Sequence, residues 1–384
     1  RNLRSLLKEL GMGLILDFVP NHVAIDHPWT SEAPERFIQG TEEDARREPG
    51  LFSHTDSGRV IAHGRDPFFP AWTDTAQINI FSPKARRALI DELKNIAQYA
   101  DGVRCDMAML VLNNIFEKTW AKYLGDYIRL DKEFWADAIK EIKAENPSFL
   151  FLAEAYWDLE YRLQQLGFDY TYDKKLYDLM LHSSPRDVRN YLFGDETFQR
   201  KCIRFMENHD EQRAASSFGK ERSLAGAVIT ATVPGLHLFH EGQFEGYAVR
   251  VPVQLSSKKE EQTDTETKDF YDRLFSFTST HRFGSGFWRP LEVRTAWNDN
   301  WTFGNLLAWV WYSDHTMKLV CVNYAPETSQ GRINIPHALI QAGPLTFRDV
   351  LTDEIYVRTT DEITGRGLFV ELGPWKAHLF DLLE

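Results

Sequence analysis

A helix pattern leads directly into a strand pattern in residues 82–106, SPKARRALIDELKNIAQYADGVRCD. Ser82 can cap a helix that begins at Pro83, and the amphipathic run continues to about Ala100. The apolar residues that follow lead to Asp106. Because a helix followed by an apolar strand is the repeating unit of parallel α/β proteins, this stretch predicts a parallel sheet covered by helices.

The same alternation continues on both sides of this unit. Strand patterns occur at residues 12–19, 102–106, 149–153, 168–172, 203–206 and 236–239, and helix patterns at residues 1–10, 83–100, 132–144, 174–181, 223–231 and 268–280. We therefore predict six strand-helix units along the chain.

Two segments depart from this alternation. Residues 23–82 contain many Pro and Gly residues and are too long for an ordinary loop, so a small inserted domain is expected there. After about residue 283 the helix patterns give way to short β-rich runs separated by turn residues. The predicted organisation is an α/β domain of residues 1–22 and 83–283, an insertion of residues 23–82, and an antiparallel β-sandwich of residues 284–384.

Composition and charge exclude several classes of partner. The 384 residues carry 44 basic and 56 acidic groups, a net charge of −12, which disfavours binding to nucleic acid or to an anionic membrane surface. No apolar run reaches the length of about 18 residues that a membrane span needs. The 11 Trp, 14 Tyr and 26 Phe residues suit stacking on neutral, flat surfaces such as sugar rings, although most large aromatics pack in cores.

The cysteines bear on the cellular location. Cys105, Cys202 and Cys321 are odd in number, far apart and set in apolar runs, so buried free thiols are expected rather than disulfides. This favours a reducing, cytoplasmic location. The sequence opens at Arg1 without Met or a signal-like stretch, so export stays open and a preceding segment is expected.

Carboxylates recur where the predicted strands end, at Asp17, Asp106, Glu154 and Asp210. The carboxyl ends of parallel strands meet at one edge of a sheet, which brings such residues together. Helix capping is the alternative for each of them alone. With His22 and His209 nearby, the cluster fits either a metal site or a pair of acid and base groups acting on a glycosidic bond.

Four short segments resemble the signature regions of the α-amylase family of glycoside hydrolases. Residues 16–22, LDFVPNH, resemble the first, and residues 102–106, GVRCD, resemble the second, which carries the nucleophile. Residues 153–157, AEAYW, are similar to the third, and residues 208–210, NHD, match the fourth. The four follow the family's order along the chain, which makes the set more specific than any one segment.

The resemblance implies a (β/α)8 TIM-type barrel with a short domain B, residues 23–82, and a C-terminal antiparallel β domain. Only six strand-helix units are visible, and residues 1–10 correspond to the helix before the third barrel strand. We therefore expect the first two strands to be supplied by a segment outside this sequence, because an open six-stranded arc would expose apolar edges.

The resemblance also implies a role for each carboxylate. Asp106 would be the nucleophile of a retaining mechanism, and Glu154 the general acid and base, with a pKa raised by burial and nearby negative charge. Asp210 would hold the distorted sugar ring. Arg104, on the same strand face as Asp106, would keep that carboxylate ionised, with Asp17 anchoring Arg104.

The remaining predicted site residues bind substrate or metal. His22 and His209 would donate hydrogen bonds to sugar hydroxyls. Tyr156 and Trp157 would offer stacking surfaces. The further candidates are Trp72 and Phe69 for stacking, Asn21 for a structural Ca²⁺, and Asp26, Asp56, Asp66 and Asp74 only as acidic neighbours of that site.

The resulting functional expectation is a retaining hydrolase of α-glucosidic bonds in starch-like glucans or malto-oligosaccharides, with no cofactor required for the chemistry. Three alternatives stay open. A transglycosylase would use the same three carboxylates, a non-catalytic carbohydrate-binding homologue would keep only the fold, and a divalent-metal hydrolase would use the Asp and His cluster.

Overall fold

The computed structural model describes residues 2–127, 129–255, 257–258, 260–279, 286–313, 316–340 and 343–383. The chain forms two compact units, the first ending at Tyr172 and the second beginning at Asp173. Among the described residues, no helix has both the length and the apolar character needed to cross a bilayer. The three cysteines are free and buried, which confirms that expectation.

The first unit is built around four parallel strands in the order β1-β6-β7-β8. Its strands are β1 Ile15–Phe18, β2 His22–Ala24, β3 Phe52–His54, β4 Val60–Ala62, β5 Thr75–Gln77, β6 Gly102–Cys105, β7 Leu150–Ala153 and β8 Tyr170–Tyr172. Its α-helices are α1 Asn2–Glu9, α2 Trp29–Glu32, α3 Glu42–Arg47, α4 Pro83–Ala97, α5 Asn113–Trp120, α6 Phe134–Glu145 and α7 Glu160–Gln165.

The stretch that suggested the fold forms the elements predicted for it. The Ser82 hydroxyl accepts a hydrogen bond from the Ala85 N–H at the start of α4, and Pro83 takes the first helical position. Strand β6 is buried along its whole length. Gly102 is required at its start, because a Cβ there would lie 2.6 Å from the Leu150 carbonyl oxygen. Strands β6 and β7 thus leave no room for a side chain at this position.

The segment 23–82 contains two short antiparallel pairs, β2 with β5 and β3 with β4. Phe37, Ile38 and Ile61 are completely buried and belong to the core of the first unit. The predicted boundaries of this insertion, like those of the other domains, stay predictions.

The second unit contains two further parallel strands, β9 and β10, and then antiparallel sheets. Its strands are β9 Cys202–Arg204, β10 Leu236–His237, β11 Phe287–Leu291, β12 Val293–Arg294, β13 Leu306–Ser313, β14 Thr316–Asn323, β15 Ser329–Ile333, β16 Leu345–Asp349, β17 Ile355–Arg358, β18 Leu368–Leu372 and β19 Ala377–Leu383. Its α-helices are α8 Lys174–His182, α9 Pro185–Leu192, α10 Glu196–Gln199, α11 Ala214–Ser217, α12 Lys220–Thr232, α13 Thr265–Thr278 and α14 Thr360–Arg366.

The C-terminal region forms two antiparallel sheets. The larger has the order β11-β13-β14-β19-β16-β17, and the smaller has the order β12-β15-β18. Their facing apolar side chains form one core, which includes Leu306, Leu319, Ile333 and Phe347. An antiparallel β domain was expected here, and it is confirmed. Its predicted start at residue 284 lies outside the described residues.

The six predicted parallel strands are all present among the described residues, but their ends differ from the sequence patterns. The pattern at residues 12–19 yields only Ile15–Phe18, because β1 pairs with β6 over those four residues alone. The pattern at 236–239 yields only Leu236–His237, which pair with Ile203 and Arg204. Apolar patterns mark which residues are buried, whereas strand length depends on the neighbouring strand.

Apolar side chains are exposed where the first unit begins. Leu3 and Leu6 on α1 are 58% and 57% exposed, Leu10 is 74% exposed, and Ile15 and Leu16 on β1 are each 36% exposed. In the described residues β1 has a strand partner on one side only, β6. A segment that covers this edge stays a prediction.

Candidate active site

Arg104 lies among three carboxylates at the ends of β1, β6 and β7. Its Nη1 atom is 2.7 Å from Asp106 Oδ1 and 3.1 Å from Asp17 Oδ1, and its Nη2 atom is 2.8 Å from Glu154 Oε2. The guanidinium is only 10% exposed. Three acids that are far apart in sequence therefore contact one cation, which is the convergence expected for Asp17, Asp106 and Glu154.

The parallel ladder continues through Asp106 and Glu154 and fixes their backbones. The Asp106 N–H donates to the Phe18 carbonyl at 2.9 Å, and the Glu154 N–H donates to the Cys105 carbonyl at 3.0 Å. Both residues therefore occupy the position directly after a buried strand without leaving the sheet. This places their side chains on a rigid scaffold, which a precise catalytic geometry requires.

A strained residue completes the binding of Glu154. Met107, directly after Asp106, has a φ of 41°, a left-handed conformation that costs a residue with a Cβ about 1–2 kcal/mol. This conformation directs the Met107 N–H to Glu154 Oε2 at 2.7 Å, while the Tyr156 hydroxyl donates to Oε1 at 2.8 Å. Both oxygens of the carboxylate are thus held in place.

Burial and neighbouring charges shift the pKa values of both Glu154 and Arg104. Burial raises the pKa of Glu154, the charge of Asp106 raises it further, and the charge of Arg104 opposes both. The combined negative charge of Glu154, Asp106 and Asp17 outweighs burial and raises the pKa of Arg104. Glu154 is 3% exposed, whereas Asp106 is 24% exposed and can be approached by a substrate.

His22 lies half-buried beside this cluster. Burial lowers its pKa, and the nearby charges of Asp106 and Asp74 partly oppose that effect. Its ring packs against Trp72 with the centroids 5.1 Å apart, and Gly64 lies so close that an added Cβ would be 2.9 Å from the His22 Cβ. A neutral, held imidazole suits the predicted hydrogen bonding to a sugar hydroxyl. Trp72 thus supports His22 with its ring.

Exposed aromatic rings lie on the loops after Asp66 and Glu154. Trp157 is 38% exposed and has a φ of 65°, and its ring meets Phe68 edge to face at 5.1 Å. Phe68 and Phe69 are 66% and 69% exposed, and the Asp66 carboxylate accepts both of their backbone N–H groups. Phe69 and Trp157 were predicted from the sequence, whereas Phe68, which adjoins Phe69 in the same aromatic run, was not.

His209 and Asp210 lie on a loop of the second unit. Asn208 Oδ1 accepts the N–H groups of Asp210 and Glu211, each at 2.9 Å, and His209 Nε2 lies 3.1 Å from Asp210 Oδ2. Both side chains are partly exposed, at 40% and 47%. Their functional roles stay predictions.

A buried ion pair holds this loop, and it was not predicted from the sequence. Glu207 Oε1 is 2.6 Å from Arg213 Nη1, and Glu207 Oε2 accepts the Ala214 N–H at 2.6 Å. Arg213 also donates to the Glu241 carbonyl at 2.6 Å and contacts His240 Nδ1 at 2.8 Å. The signal in the sequence was two opposite charges six residues apart, on either side of NHD.

Two of the residues named for a calcium site, Asn21 and Asp66, use their side-chain oxygens in hydrogen bonds within the protein. Asn21 Oδ1 accepts from the Gln77 amide at 3.0 Å, and the same Gln77 Nε2 donates to the carbonyls of Asn21 and Ile78 at 2.8 and 3.0 Å. An amide N–H group thus occupies the point where these three oxygens converge. Asp66 is committed to the backbone N–H groups of its own loop. In the part of the chain that the structure describes, no three acidic, His or Cys side chains form a metal-binding group.

Comparisons with known proteins agree with this fold. No family model matches the chain. Alpha-amylase 3 of Dictyoglomus thermophilum is 24% identical over 269 residues, which cover 63% of this chain and 49% of that protein. Alpha-amylase MalA of Haloarcula japonica is 26% identical over 242 residues, covering 61% of this chain and 32% of that protein. The matches thus span about half of the length of one curated relative and about a third of the other.

Solved structures with the same fold include a maltogenic α-amylase, AmyB, from Thermotoga neapolitana, with a TM-score of 0.69 and 18% identity over 100% of this chain and 80% of that one. An acarbose complex of the α-amylase from Geobacillus thermoleovorans gives a TM-score of 0.67 and 17% identity, with the same coverage. These likenesses establish the (β/α) barrel fold with a C-terminal antiparallel β domain. The chain is thus similar in sequence to two α-amylases and similar in fold to solved structures of α-amylases.

Proposed function

We propose that this chain carries the catalytic machinery of a retaining glycoside hydrolase acting on α-glucosidic bonds of starch-like glucans or malto-oligosaccharides. One observation carries the proposal. Asp106 and Glu154 contact the two terminal nitrogens of the same guanidinium, the first open to solvent and the second buried. Retaining glycosidases in general react through a pair of carboxyl groups about 5 to 5.5 Å apart.

The first step forms a bond between an Asp106 oxygen and the anomeric carbon. The glycosidic C–O bond breaks, its electron pair goes to the leaving oxygen, and the proton of Glu154 transfers to that oxygen. Burial keeps the Glu154 pKa above its ordinary value, so the protonated acid is available. Arg104 Nη1 donates to Asp106 Oδ1 at 2.7 Å and orients that side chain before the attack.

The same charges reverse the role of Glu154 in the second step. The ester formed on Asp106 removes the negative charge that raised the pKa of Glu154, while Arg104 still lowers it. Glu154 then takes a proton from water, whose oxygen attacks the anomeric carbon as the bond to Asp106 breaks. The electron pair returns to Asp106 and restores its carboxylate.

The substrate class rests on the relatives and on the aromatic rings. The curated relatives are α-amylases, and the structural neighbours include a debranching enzyme of Nostoc punctiforme soaked with acarbose. Trp157, Phe68 and Phe69 offer flat apolar faces on loops beside Glu154, and His22 offers a neutral hydrogen-bonding ring. This combination suits a neutral chain of sugar rings.

The test is the time course of maltoheptaose hydrolysis followed by proton NMR at the anomeric region. We expect the α-anomer of the new reducing end to appear first, before mutarotation. Asp106→Asn should abolish the reaction. Asp91→Asn, on the exposed surface of α4, is the matched control and should match the unsubstituted protein.

Three outcomes would contradict the proposal. The β-anomer appearing first would indicate inversion. Longer chains without free reducing ends would indicate a transglycosylase. Loss of activity with EDTA and recovery with Mn²⁺ or Zn²⁺ would indicate a metal hydrolase.

A further inference from the structure

A loop of the C-terminal β domain exposes two tryptophans. Trp297 is 52% exposed and Trp301 is 77% exposed, although indole rings are usually well buried in proteins. Both belong to the segment 295–301 that follows β12. Large exposed aromatic groups in a small area indicate a binding surface.

Hydrogen bonds hold this loop in one conformation. The Thr295 hydroxyl donates to the Asn300 carbonyl at 2.9 Å, and Asn300 Oδ1 accepts the backbone N–H and the hydroxyl of Thr302 at 3.0 and 2.6 Å. Asn300 Nδ2 donates to Gln330 Oε1 on β15 at 2.8 Å. The two indoles are therefore presented by an ordered loop, so a ligand would not have to order it on binding.

The loop continues onto the outer face of the β12-β15-β18 sheet. Trp297 stacks on Phe369 of β18, with the centroids 6.3 Å apart and the rings inclined by 29°. The Arg332 guanidinium lies 5.5 Å from the Phe369 centroid, and Arg332 pairs with Phe369 across the sheet. In the next row, the Gln330 amide donates to the Glu371 carboxylate.

We propose that this surface, defined by Trp297, Trp301, Phe369, Gln330 and Arg332, binds a segment of α-glucan as a second carbohydrate site. The flat rings would contact the apolar C–H faces of glucose units, and the amide and guanidinium would bind the hydroxyls between them. The ligand class rests on the proposed function, and the surface itself rests on the geometry above.

Charge argues for a neutral ligand. The chain has a net charge of −12, which repels polyanionic partners. The patch has no excess of cations either, because the Arg294 guanidinium is paired with Glu292 at 2.7 Å and Glu371 lies beside Gln330. A second site of this kind would hold a polymer to the enzyme between cleavage events, without affecting short substrates.

The experiment measures retardation in native gels that contain amylopectin, with every variant made in the Asp106→Asn background so that the polymer is not degraded. We expect the protein to be retarded and the double variant Trp297→Ala/Trp301→Ala to bind amylopectin at least about 10-fold more weakly. Phe287→Ala is the matched control. Phe287 is 69% exposed and stacks on Tyr312 in the other sheet, so its variant should keep full retardation.

A second measurement separates binding from catalysis. In the active protein the double variant should keep kcat/KM on maltotriose within twofold and lose activity on insoluble starch by several-fold. Thermal melting of both variants should match the parent, since the replaced rings are exposed.

The outcomes distinguish this inference from the proposed function. Equal retardation of the double variant and Phe287→Ala would overturn the second site. Hydrolysis of maltoheptaose by a protein that amylopectin never retards would also overturn it and leave the proposed function intact. Trp-dependent retardation without any hydrolysis would support the site and reject the proposed function. If the double variant changes only the oligomeric state in size-exclusion chromatography, the surface joins copies of the chain and the inference fails.

Discussion

Arg104 and Arg204 both lie on parallel strands and both are buried, yet their surroundings differ. Arg104 contacts three carboxylates, and one of them, Asp106, is open to solvent. Arg204 contacts one carboxylate, that of Asp173, and donates its other hydrogen bonds to the carbonyls of Pro234 and Gln199 and to the side-chain oxygen of Gln199.

This difference separates a partly exposed cluster with excess negative charge from a buried ion pair whose charges balance. Around Arg104 negative charge is in excess. Burial raises the pKa of Glu154, the charge of Arg104 opposes this, and the charge of Asp106 adds to it, while Asp106 itself is partly exposed. Around Arg204 the charges balance. The Asp173 carboxylate also accepts from the Tyr191 hydroxyl at 2.6 Å and from the Leu176 N–H at 3.0 Å, and burial lowers the pKa of Arg204. A fully satisfied pair holds elements together and has no group left to react.

The largest expected effect is that of Asp106→Asn. Because it removes the proposed nucleophile, kcat on maltoheptaose should fall by about 10⁴-fold or more. The melting temperature should stay at least as high, since one of three repelling carboxylates is neutralised. Steady-state kinetics and a thermal melt check both. An unchanged rate in Asp106→Asn would contradict the proposed difference in function between the surroundings of Arg104 and those of Arg204.

The next largest effect is that of Asp173→Asn on stability. Removing one partner of a buried ion pair leaves an uncompensated charge, so the free energy of unfolding should fall by about 3–5 kcal/mol. Urea denaturation followed by tryptophan fluorescence measures it. Asp178→Asn, on the exposed side of α8, serves as the control and should lose less than about 1 kcal/mol. A comparable loss in both variants would contradict the structural role of Asp173.

A smaller effect is expected in the pH profile of Tyr156→Phe. The Tyr156 hydroxyl donates to Glu154 and lowers its pKa, so its removal raises that pKa further. Glu154 must be protonated to act as the acid, and activity falls as the pH rises through its pKa. The alkaline limb of the kcat profile should therefore move to higher pH. Tyr127→Phe, whose hydroxyl donates to a surface carbonyl, should leave the limb in place. A shift to lower pH in Tyr156→Phe would contradict the assignment of Glu154.

The smallest expected effect is that of calcium, because the Asn21 site is held by an amide and carries no charge. The melting temperature should be the same in EDTA and in millimolar Ca²⁺. Gln77→Glu places a carboxylate among three oxygens, and this variant should be destabilised in EDTA and recover with Ca²⁺. A lower melting temperature of the unsubstituted protein in EDTA would show that a cation displaces the Gln77 amide.

Features that depend on neighbouring residues in the sequence could be predicted. The positions of Asp17, Asp106 and Glu154 after apolar runs were enough to place them at one sheet edge, and the two-residue spacing put Arg104 on the face of Asp106. The 60% exposure of Asp17 could not be predicted from the sequence. This exposure depends on β1 having one strand partner in the described sheet.

Contacts between distant segments were not predictable from one sequence. The Gln77 amide reaches Asn21 across 56 residues, and the left-handed Met107 directs its N–H to an acid 47 residues away. Neither a glutamine nor a methionine indicates such a long-range hydrogen bond by its residue type. The Glu207 to Arg213 pair spans only six residues, but the pair is buried, which a sequence of charged residues does not suggest.

Cys105 is a chemical probe of the buried strand β6. It lies between Arg104 and Asp106, it is fully buried, and burial raises its thiol pKa well above the ordinary value. Alkylating reagents need an accessible thiolate, so labelling of this sulfur in the native protein would require the sheet to separate transiently. Its labelling rate under native conditions would therefore report how often this edge of the sheet opens, one residue from the proposed nucleophile.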